Sequence, residues 1–130
     1  MATLGGNLII GFDFHNVIDV FPRHIRVLAD SLNSEGHKTI VISAIGPRRV
    51  GTIARSIEEF GIQVDEVHEV VFKHPKQSPM LKADKAQELH IEVFFDDRQD
   101  VCDEMNRRGI LCFKVPRLVA GDDISTDFGS

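Results

Sequence analysis

The chain has 130 residues, of which 42% are hydrophobic and 27% charged, and its formal net charge is −5. This length suits one domain whose single core is stable without disulfides or structural metals. The negative charge argues against non-specific binding to nucleic-acid backbones, which requires a basic surface. Cys102 and Cys112 fit neither a metal-ligand spacing nor a disulfide framework, so we expect buried thiols in a reducing compartment.

The first 15 residues lack the basic start and long apolar stretch of a leader segment. The apolar residues 8–14 are far fewer than the ~20 that a membrane span needs. We therefore expect a cytoplasmic protein with no membrane partner. Residues 1–130 are predicted to form one domain that ends in a loose tail from about residue 118.

Strand-like and helix-like segments alternate along the chain. Apolar runs predict five strands, over residues 8–14, 39–43, 67–72, 93–95 and 110–115. Helical spacing and glycine or proline at the ends predict helices over residues 21–35, 47–60, 84–89 and 99–108. Repeated β-α units of this length predict a three-layer, doubly wound (Rossmann-like) α/β fold with a five-stranded parallel sheet. The longest irregular segment is predicted at residues 73–82, which contain two prolines.

Three predicted strands end in residues that can carry chemistry. The first strand runs into Asp13, the second ends in Ser43, and the fourth is followed by Asp96 and Asp97. The carboxyl ends of parallel strands lie on one edge of a sheet, where open α/β folds bind ligands. We therefore expect these side chains to converge on one crevice.

Several carboxylates in one crevice repel each other unless a cation is present. Oxygen ligands favour a hard ion such as Mg²⁺, and the ligand types make zinc a poor fit. The Ser43 hydroxyl suits a phosphoryl oxygen, and a lysine at position 82 or 85 can neutralise both the phosphate and the acids. Each residue also has a simple structural explanation, such as helix capping by aspartate, but the ordered set favours a composite site.

The order Asp13-x-His15-Asn16-Val17, Ser43, a lysine and then Phe-Phe-Asp96-Asp97 resembles the four motifs of the haloacid dehalogenase (HAD) superfamily of hydrolases. The resemblance covers roughly residues 8–115 and implies a HAD-like fold without a cap domain. It implies that Asp13 is a nucleophile that forms an aspartyl-phosphate, so the expected function is a Mg²⁺-dependent phosphatase. The motif lysine is Lys85 by its distance from the aspartate pair, with Lys82 as the alternative.

The sites expected from this resemblance fall into three groups. The expected catalytic residues are Asp13, His15, Ser43 and Lys85. The expected substrate contacts come from Ser43, Ala44, Lys85, Arg48 and Asn16. The expected Mg²⁺ ligands are Asp13, the backbone carbonyl of His15, and Asp97 or Asp96, between which the sequence does not decide.

Residues 96–113 look like the last motif of the 3′-phosphatase domain of phage polynucleotide kinase, and similar Asp-Asp-Arg endings occur in deoxynucleotidases. This local similarity favours a nucleotide or a nucleic-acid end as the phosphorylated substrate. In the family, members without a cap often act on macromolecules or are covered by a neighbouring subunit, so a homodimer is compatible with the resemblance.

His15 is the main departure from the family pattern, because phosphatases of this family usually have an acid/base Asp there. Imidazole can itself act as acid and base near neutral pH. Three functions therefore remain open: an active hydrolase that uses His15, a slow hydrolase that needs a good leaving group, or a phosphate- or nucleotide-binding protein without turnover. A phosphoryl-accepting receiver domain fits less well, because receivers carry their acidic pair on an earlier strand than the phosphorylated Asp.

Two further features of the sequence concern charged residues outside these motifs. Arg48 and Arg49 lie at a predicted helix N-terminus, where an anion is favoured and a cation is not. This placement hints at anionic substrate binding, with a solvated arginine pair as the alternative. Asp19 lies in the first loop, and we expect it to be solvated.

Overall fold

The structure is a computed structural model that describes residues 6–118. Its strands are β1 Ile9–Phe12, β2 Lys38–Ile45, β3 Glu66–Val71, β4 Val93–Asp96 and β5 Leu111–Lys114. Its helices are α1 Pro22–Ser34, α2 Thr52–Glu59, α3 Ser78–Glu88 and α4 Gln99–Arg107. The loose tail predicted from residue 118 lies, from residue 119 onwards, outside the described residues.

The five strands form one parallel sheet in the order β3-β2-β1-β4-β5. This confirms the predicted Rossmann-like α/β class and the strand number. The chain builds outwards from β1 through β2 to β3, then returns to place β4 on the other side of β1. The strand order therefore reverses at β1, and in such sheets the ligand crevice lies outside the carboxyl ends of the strands at the reversal.

Alternate residues of β2 explain why helices cover both faces of the sheet. Ile40 and Ile42 pack in one buried cluster with residues of α3 and α4. Val41 and Ile45 pack in a second cluster with residues of α1 and α2. Successive side chains of a strand point to opposite faces, so a continuous apolar strand needs apolar helices on both sides.

The main error of the sequence prediction concerns α3, which begins at Ser78 and not at residue 84. Pro75 and Pro79 suggested an irregular loop. In the structure Pro75 begins a single 3-10 turn, and Pro79 occupies the first turn of α3. Proline has no N–H to donate, and the first turn of a helix needs none, so proline starts this helix and does not break it.

Smaller differences occur at other element ends. The predicted helix over residues 47–60 is a 3-10 turn at Pro47–Arg49 followed by α2, separated by Gly51 in the left-handed region at φ +91°. The second strand continues past Ser43 to Ile45. Between residues 6 and 118 no additional domain is inserted between the strands, and no helix there is long and apolar enough to cross a membrane.

Gly11 provides a test of the close contact between β1 and the neighbouring strand β4. A Cβ at Gly11 would lie 2.5 Å from Cδ1 of Phe94, whose ring is fully buried. Overpacking of this kind costs about 1–3 kcal/mol, so Gly11→Ala should lower the free energy of unfolding by that amount in urea denaturation. Gly46→Ala is the control, because its Cβ would lie 3.8 Å from Phe72 and its φ is −77°. Equal stability of both variants would contradict this packing.

Candidate active site

Asp13 stands immediately after β1 at the carboxyl edge of the sheet. Its N–H donates to the carbonyl of Phe95 in β4 at 2.9 Å, which extends the pairing of the two strands by one residue. Its Oδ1 accepts the N–H of Phe14 at 2.8 Å. The side chain is fully buried. Backbone pairing and capping thus fix the position of a carboxylate in the crevice.

Lys82 joins the first strand end to the fourth. Its Nζ lies 2.9 Å from Oδ1 of Asp13 and 2.9 Å from Oδ2 of Asp96, and all three side chains are fully buried. Lys82 reaches this point because α3 begins at the carboxyl edge of the sheet and presents its buried side there. Ser78, Lys82 and Ala86 recur every four residues along that buried side. A single ammonium group therefore holds two carboxylates of different strands together.

Burial and the neighbouring charges both shift the pKa values of these three groups. Burial raises the pKa of Asp13 well above its usual range, and the charges of Asp96 and Asp97 add to this against the opposing effect of Lys82. Burial also raises the pKa of Asp96, although Lys82 partly offsets it. Burial lowers the pKa of Lys82, but the two aspartates outweigh it, so the pKa of the ammonium group lies above its usual range. Lys82 is therefore charged at neutral pH.

The preference for Lys85 as the site lysine is corrected by this geometry. Lys85 lies on α3 nearly one turn beyond Lys82, and its Nζ is 3.2 Å from a carboxylate oxygen of Glu88 on the helix surface. The physical reason is the early start of α3, which places residue 82, and not residue 85, at the carboxyl edge of the sheet. The lysine that contacts Asp13 and Asp96 in the structure is therefore Lys82.

Asp96 and Asp97 differ in which of their oxygens already have partners. Both oxygens of Asp96 are used, because Oδ1 accepts the N–H of Arg98 at 2.9 Å and Oδ2 accepts from Lys82. Oδ2 of Asp97 accepts from Nε of Arg117 at 2.9 Å and from its terminal nitrogen at 2.5 Å. Oδ1 of Asp97 is buried without a hydrogen-bond partner, as is Oδ2 of Asp13.

The free oxygens fit a hard cation. Asp13, Asp96 and Asp97 each offer a carboxylate oxygen, and these three atoms lie within 4.8 Å of one another. Carboxylate oxygens alone are the ligands typical of Mg²⁺, which takes one or two of them and keeps several waters. Both oxygens of Asp96 already have a hydrogen-bond partner, whereas Asp13 and Asp97 each have one oxygen without a partner, so the geometry favours Asp13 and Asp97 as ligands.

His15 follows Asp13 by two residues, in the loop after β1. Its backbone is extended, and Asn16 after it adopts a left-handed conformation at φ +64°. The N–H of Asn16 donates to Oδ1 of Asp19 at 2.6 Å, and Oδ2 of Asp19 lies 3.8 Å from Nδ1 of His15. The imidazole is 18% exposed and meets the ring of Phe14 edge-on. Asp19 is exposed, in line with the expectation that it is solvated, and its carboxylate also has a structural role in this turn.

Ser43, Ala44 and Arg48 lie in different environments in and after β2. Ser43 is buried inside β2, on the side shared with Val41 and Ile45, and its hydroxyl has no hydrogen-bond partner. Ala44 is buried on the opposite side of β2. Arg48 is exposed in the turn after β2. The structure thus leaves the Ser43 hydroxyl available for a ligand but records no contact between it and the aspartates.

Glu69, a residue that the sequence did not point to, lies at the helix N-terminus that follows Arg48 and Arg49. Both carboxylate oxygens of Glu69 in β3 accept the N–H of Gly51, at 2.8 and 2.9 Å, and one of them accepts that of Ile53 at 3.2 Å. Glu69 thus already supplies the negative charge that favours the start of α2. No external anion is needed there.

Sequence reasoning also missed Ser78 and Arg117. Ser78 is fully buried at the start of α3 with no partner for its hydroxyl. Arg117 follows β5 by three residues, at the same edge of the sheet as Asp97. Its position just after a predicted strand could have identified Arg117 as a site residue, but the loose tail was predicted to begin at about residue 118, directly after it.

Neither a protein-family model nor a curated protein matches this sequence. Among solved structures, chains from two structures of the Pnkp1/Rnl/Hen1 complex, one of them described as an RNA repair complex, align with TM-scores of 0.67 and 0.71. They are 16% and 17% identical over 85% and 94% of this chain. The chain spans 42% and 49% of their lengths, less than half in each case.

Two further structures are similar over nearly their whole lengths. A universal stress protein in complex with cAMP has a TM-score of 0.59 and 15% identity, over 85% of this chain and 98% of that protein. The core domain of a protein proposed to be a phosphoglycolate phosphatase, from Streptococcus pneumoniae TIGR4, has a TM-score of 0.51 and 13% identity, over 95% and 94%. Identities this low establish a shared α/β fold and nothing finer.

The bridge made by Lys82 can be tested by stability measurements. Lys82→Met would leave two buried carboxylates without their cation, a loss of about 3–5 kcal/mol at neutral pH. Burial raises the pKa values of the Asp13 and Asp96 carboxyls. A carboxyl whose pKa is raised by folding favours the folded state at low pH and loses this advantage as the pH rises. The loss should therefore be larger at pH 8 than at pH 5 in urea denaturation.

Lys85→Met is the matched control, since it removes a lysine of the same helix whose ion pair is at the surface. Its effect should stay within about 1 kcal/mol at both pH values. If Lys82→Met were no more destabilising than this control, or were better tolerated at pH 8 than at pH 5, the bridge would not stabilise the fold as described.

Proposed function

We propose that this protein is a Mg²⁺-dependent phosphohydrolase of the HAD type, in which Asp13 is the nucleophile. The observation that carries the proposal is the buried bridge from Lys82 to Asp13 and Asp96, beside unpartnered oxygens on Asp13 and Asp97. The order of these residues along the chain is that of the HAD motifs, with Lys82 in place of Lys85. The similarity in fold to a proposed phosphatase and to chains of an RNA repair complex is in line with it.

In the proposed reaction an oxygen of Asp13 attacks the phosphorus of a phosphate monoester. An aspartyl-phosphate forms as the bond to the leaving oxygen breaks, and protonated His15 gives its proton to that oxygen. A water molecule then attacks phosphorus, neutral His15 takes up its proton, and phosphate and free Asp13 are released. Lys82 and the Ser43 hydroxyl would bind phosphoryl oxygens, and the backbone of Ala44 would contribute a further contact at the end of β2.

The proposed metal ligands are Asp13, Asp97 and the backbone carbonyl of His15, with Asp96 anchored by Lys82. When bound, Mg²⁺ would neutralise charge on the phosphoryl group and the acids. Lys82 keeps the nucleophile and Asp96 in fixed positions, which lowers the reorganisation needed at the moment of reaction.

The proposed substrate class is a phosphorylated nucleotide or nucleic-acid end. It is supported by the similarity of residues 96–113 to the polynucleotide kinase phosphatase motif and by the absence of an inserted cap in residues 6–118. A crevice without a cap admits phosphates that are attached to large molecules. Asn16 and Arg48 remain proposed contacts for the rest of the substrate, Asn16 at the mouth and Arg48 on the exposed turn after β2.

A second candidate function is binding of a phosphate or nucleotide without turnover. His15 in the place of an acid/base Asp favours it, and the similarity in fold to a universal stress protein in complex with cAMP is in line with it. The two candidates share Asp13, Lys82 and Asp97 and differ only in whether His15 supports proton transfer.

Replacing the nucleophile tests the main proposal. Wild-type protein should release phosphate in a Mg²⁺-dependent way from at least one member of a panel of nucleotides, 3′-phosphorylated oligonucleotides and an activated aryl phosphate. Asp13→Asn should reduce this to the background, because the amide cannot attack phosphorus. Asp30→Asn, at an exposed position of α1, is the matched control and should behave as wild type. Full activity in Asp13→Asn would refute the mechanism.

Replacing His15 separates the two candidate functions. In an active hydrolase, His15→Ala should lower kcat about 10²–10⁴-fold on a nucleotide phosphate, since a positioned proton donor is lost. The loss should be smaller on an aryl phosphate, whose leaving oxygen needs no proton. His24→Ala, exposed on α1, is the control. An inactive wild type that gains activity as His15→Asp would instead support the binding function.

A further inference from the structure

Arg117 is held beside the candidate active site by the end of the sheet. β5 pairs with β4 so that Lys114 lies opposite Asp96, and the N–H of Val115 donates to the carbonyl of Asp96 at 2.8 Å. The chain therefore follows the carboxyl end of β4 for one residue beyond β5. Two residues later, Arg117 reaches the neighbouring Asp97.

The contact between Arg117 and Asp97 is one-sided. Both Nε and a terminal nitrogen of the guanidinium donate to the same oxygen, Oδ2, at 2.9 and 2.5 Å. The usual arrangement of this pair engages both carboxylate oxygens in parallel. Here Oδ1 is left buried without a partner. It is also the oxygen of Asp97 that remains available to the cluster with Asp13 and Asp96.

The burial of the pair distinguishes it from an ordinary surface ion pair. The side chain of Asp97 is fully buried and that of Arg117 is 19% exposed. Exposed pairs contribute little, whereas removal of one partner of a buried pair leaves an uncompensated charge. Asp97 has the carboxylates of Asp13 and Asp96 within its cluster, so a lost cation would also leave it facing like charges. Without Arg117, rotation of Asp97 towards water is favoured.

We propose that Arg117 is a positioning residue for the metal site, which fixes Asp97 so that Oδ1 is directed to the ion. This inference rests on the proposed function, because it assigns Arg117 to the Mg²⁺ site of that function. Arg117 touches neither the ion nor the substrate in this role. It acts through Asp97, as hydrogen-bond partners of metal ligands generally do by orienting them.

The test is Mg²⁺ binding by isothermal titration calorimetry, with Mn²⁺ binding followed by electron paramagnetic resonance, on the full chain without substrate. Arg117→Ala should weaken metal affinity about 10- to 100-fold, as is typical for partners of metal ligands. Arg117→Lys should restore part of it, since an ammonium can donate to Oδ2 but lacks the planar fork. Arg107→Ala is the matched control, because Arg107 pairs with Glu104 on α4 outside the site.

A double-mutant cycle separates positioning from a general loss of structure. In an Asp97→Asn background, Arg117→Ala should have little further effect on metal affinity, because the residue through which it acts has already been changed. Additive losses in the cycle would overturn the proposal. Circular dichroism on each variant establishes that the fold is retained.

The outcomes distinguish this inference from the proposed function. If wild type binds Mg²⁺ and Asp13→Asn abolishes binding, but Arg117→Ala binds equally well, then Arg117 has no positioning role and the site itself stands. Tighter binding in Arg117→Ala would mean that the guanidinium competes with the metal, which also overturns the proposal. If wild type does not bind Mg²⁺, the proposed function fails and the role of Arg117 fails with it.

Discussion

The buried ammonium group of Lys82 is the interaction on which the rest of the site depends. Three carboxylates converge at one end of the sheet, and two of them, Asp13 and Asp96, share the 2.9 Å contacts of this one side chain. A buried acid pair without a cation is strongly unfavourable. With Lys82 and Arg117 both charged, the three acids still leave one negative charge when all are ionised. That residual charge makes the cluster a place where a further cation is favoured.

The topology determines why Lys82 can serve both aspartates. β1 and β4 are neighbours in the sheet although they lie some 80 residues apart in sequence, because the chain reverses its order at β1. Asp13 and Asp96 thereby end adjacent strands at the same level. α3 leads into β4 and starts at that edge, so its first buried turn faces both strand ends. The crossover that creates the crevice therefore also places the ammonium group of Lys82 in it.

Much of this arrangement could be read from the sequence, and the errors have a common cause. Apolar runs ending in Asp13 and in Asp96-Asp97 were sufficient to place the acids, because strand ends in a repeated β-α chain must share one edge. The sequence leaves Lys82 as the alternative to Lys85, because the distance to the aspartate pair favours Lys85 and the prolines predict a loop up to residue 82, although proline in a first helical turn costs no hydrogen bond. Arg117 belongs to none of the sequence motifs. Its pairing with Asp97 depends on how far the chain runs alongside β4 after β5, which is a tertiary property. The hydrogen-bond partners of each aspartate oxygen, which favour Asp97 over Asp96 as a metal ligand, can likewise be identified only from the three-dimensional structure.

The depth of the groups in the crevice fits the order of events in the proposed reaction. Asp13, Lys82 and Asp96 have no exposed surface, whereas the imidazole of His15 is 18% exposed. A phosphoryl group that enters to meet Asp13 would carry its leaving oxygen on the outward side, since attack and departure are in line. In the proposed reaction the partly exposed imidazole of His15 would give its proton to that oxygen. The proposed proton transfer by His15 would therefore not involve the buried bridge of Lys82, which holds Asp13 and Asp96.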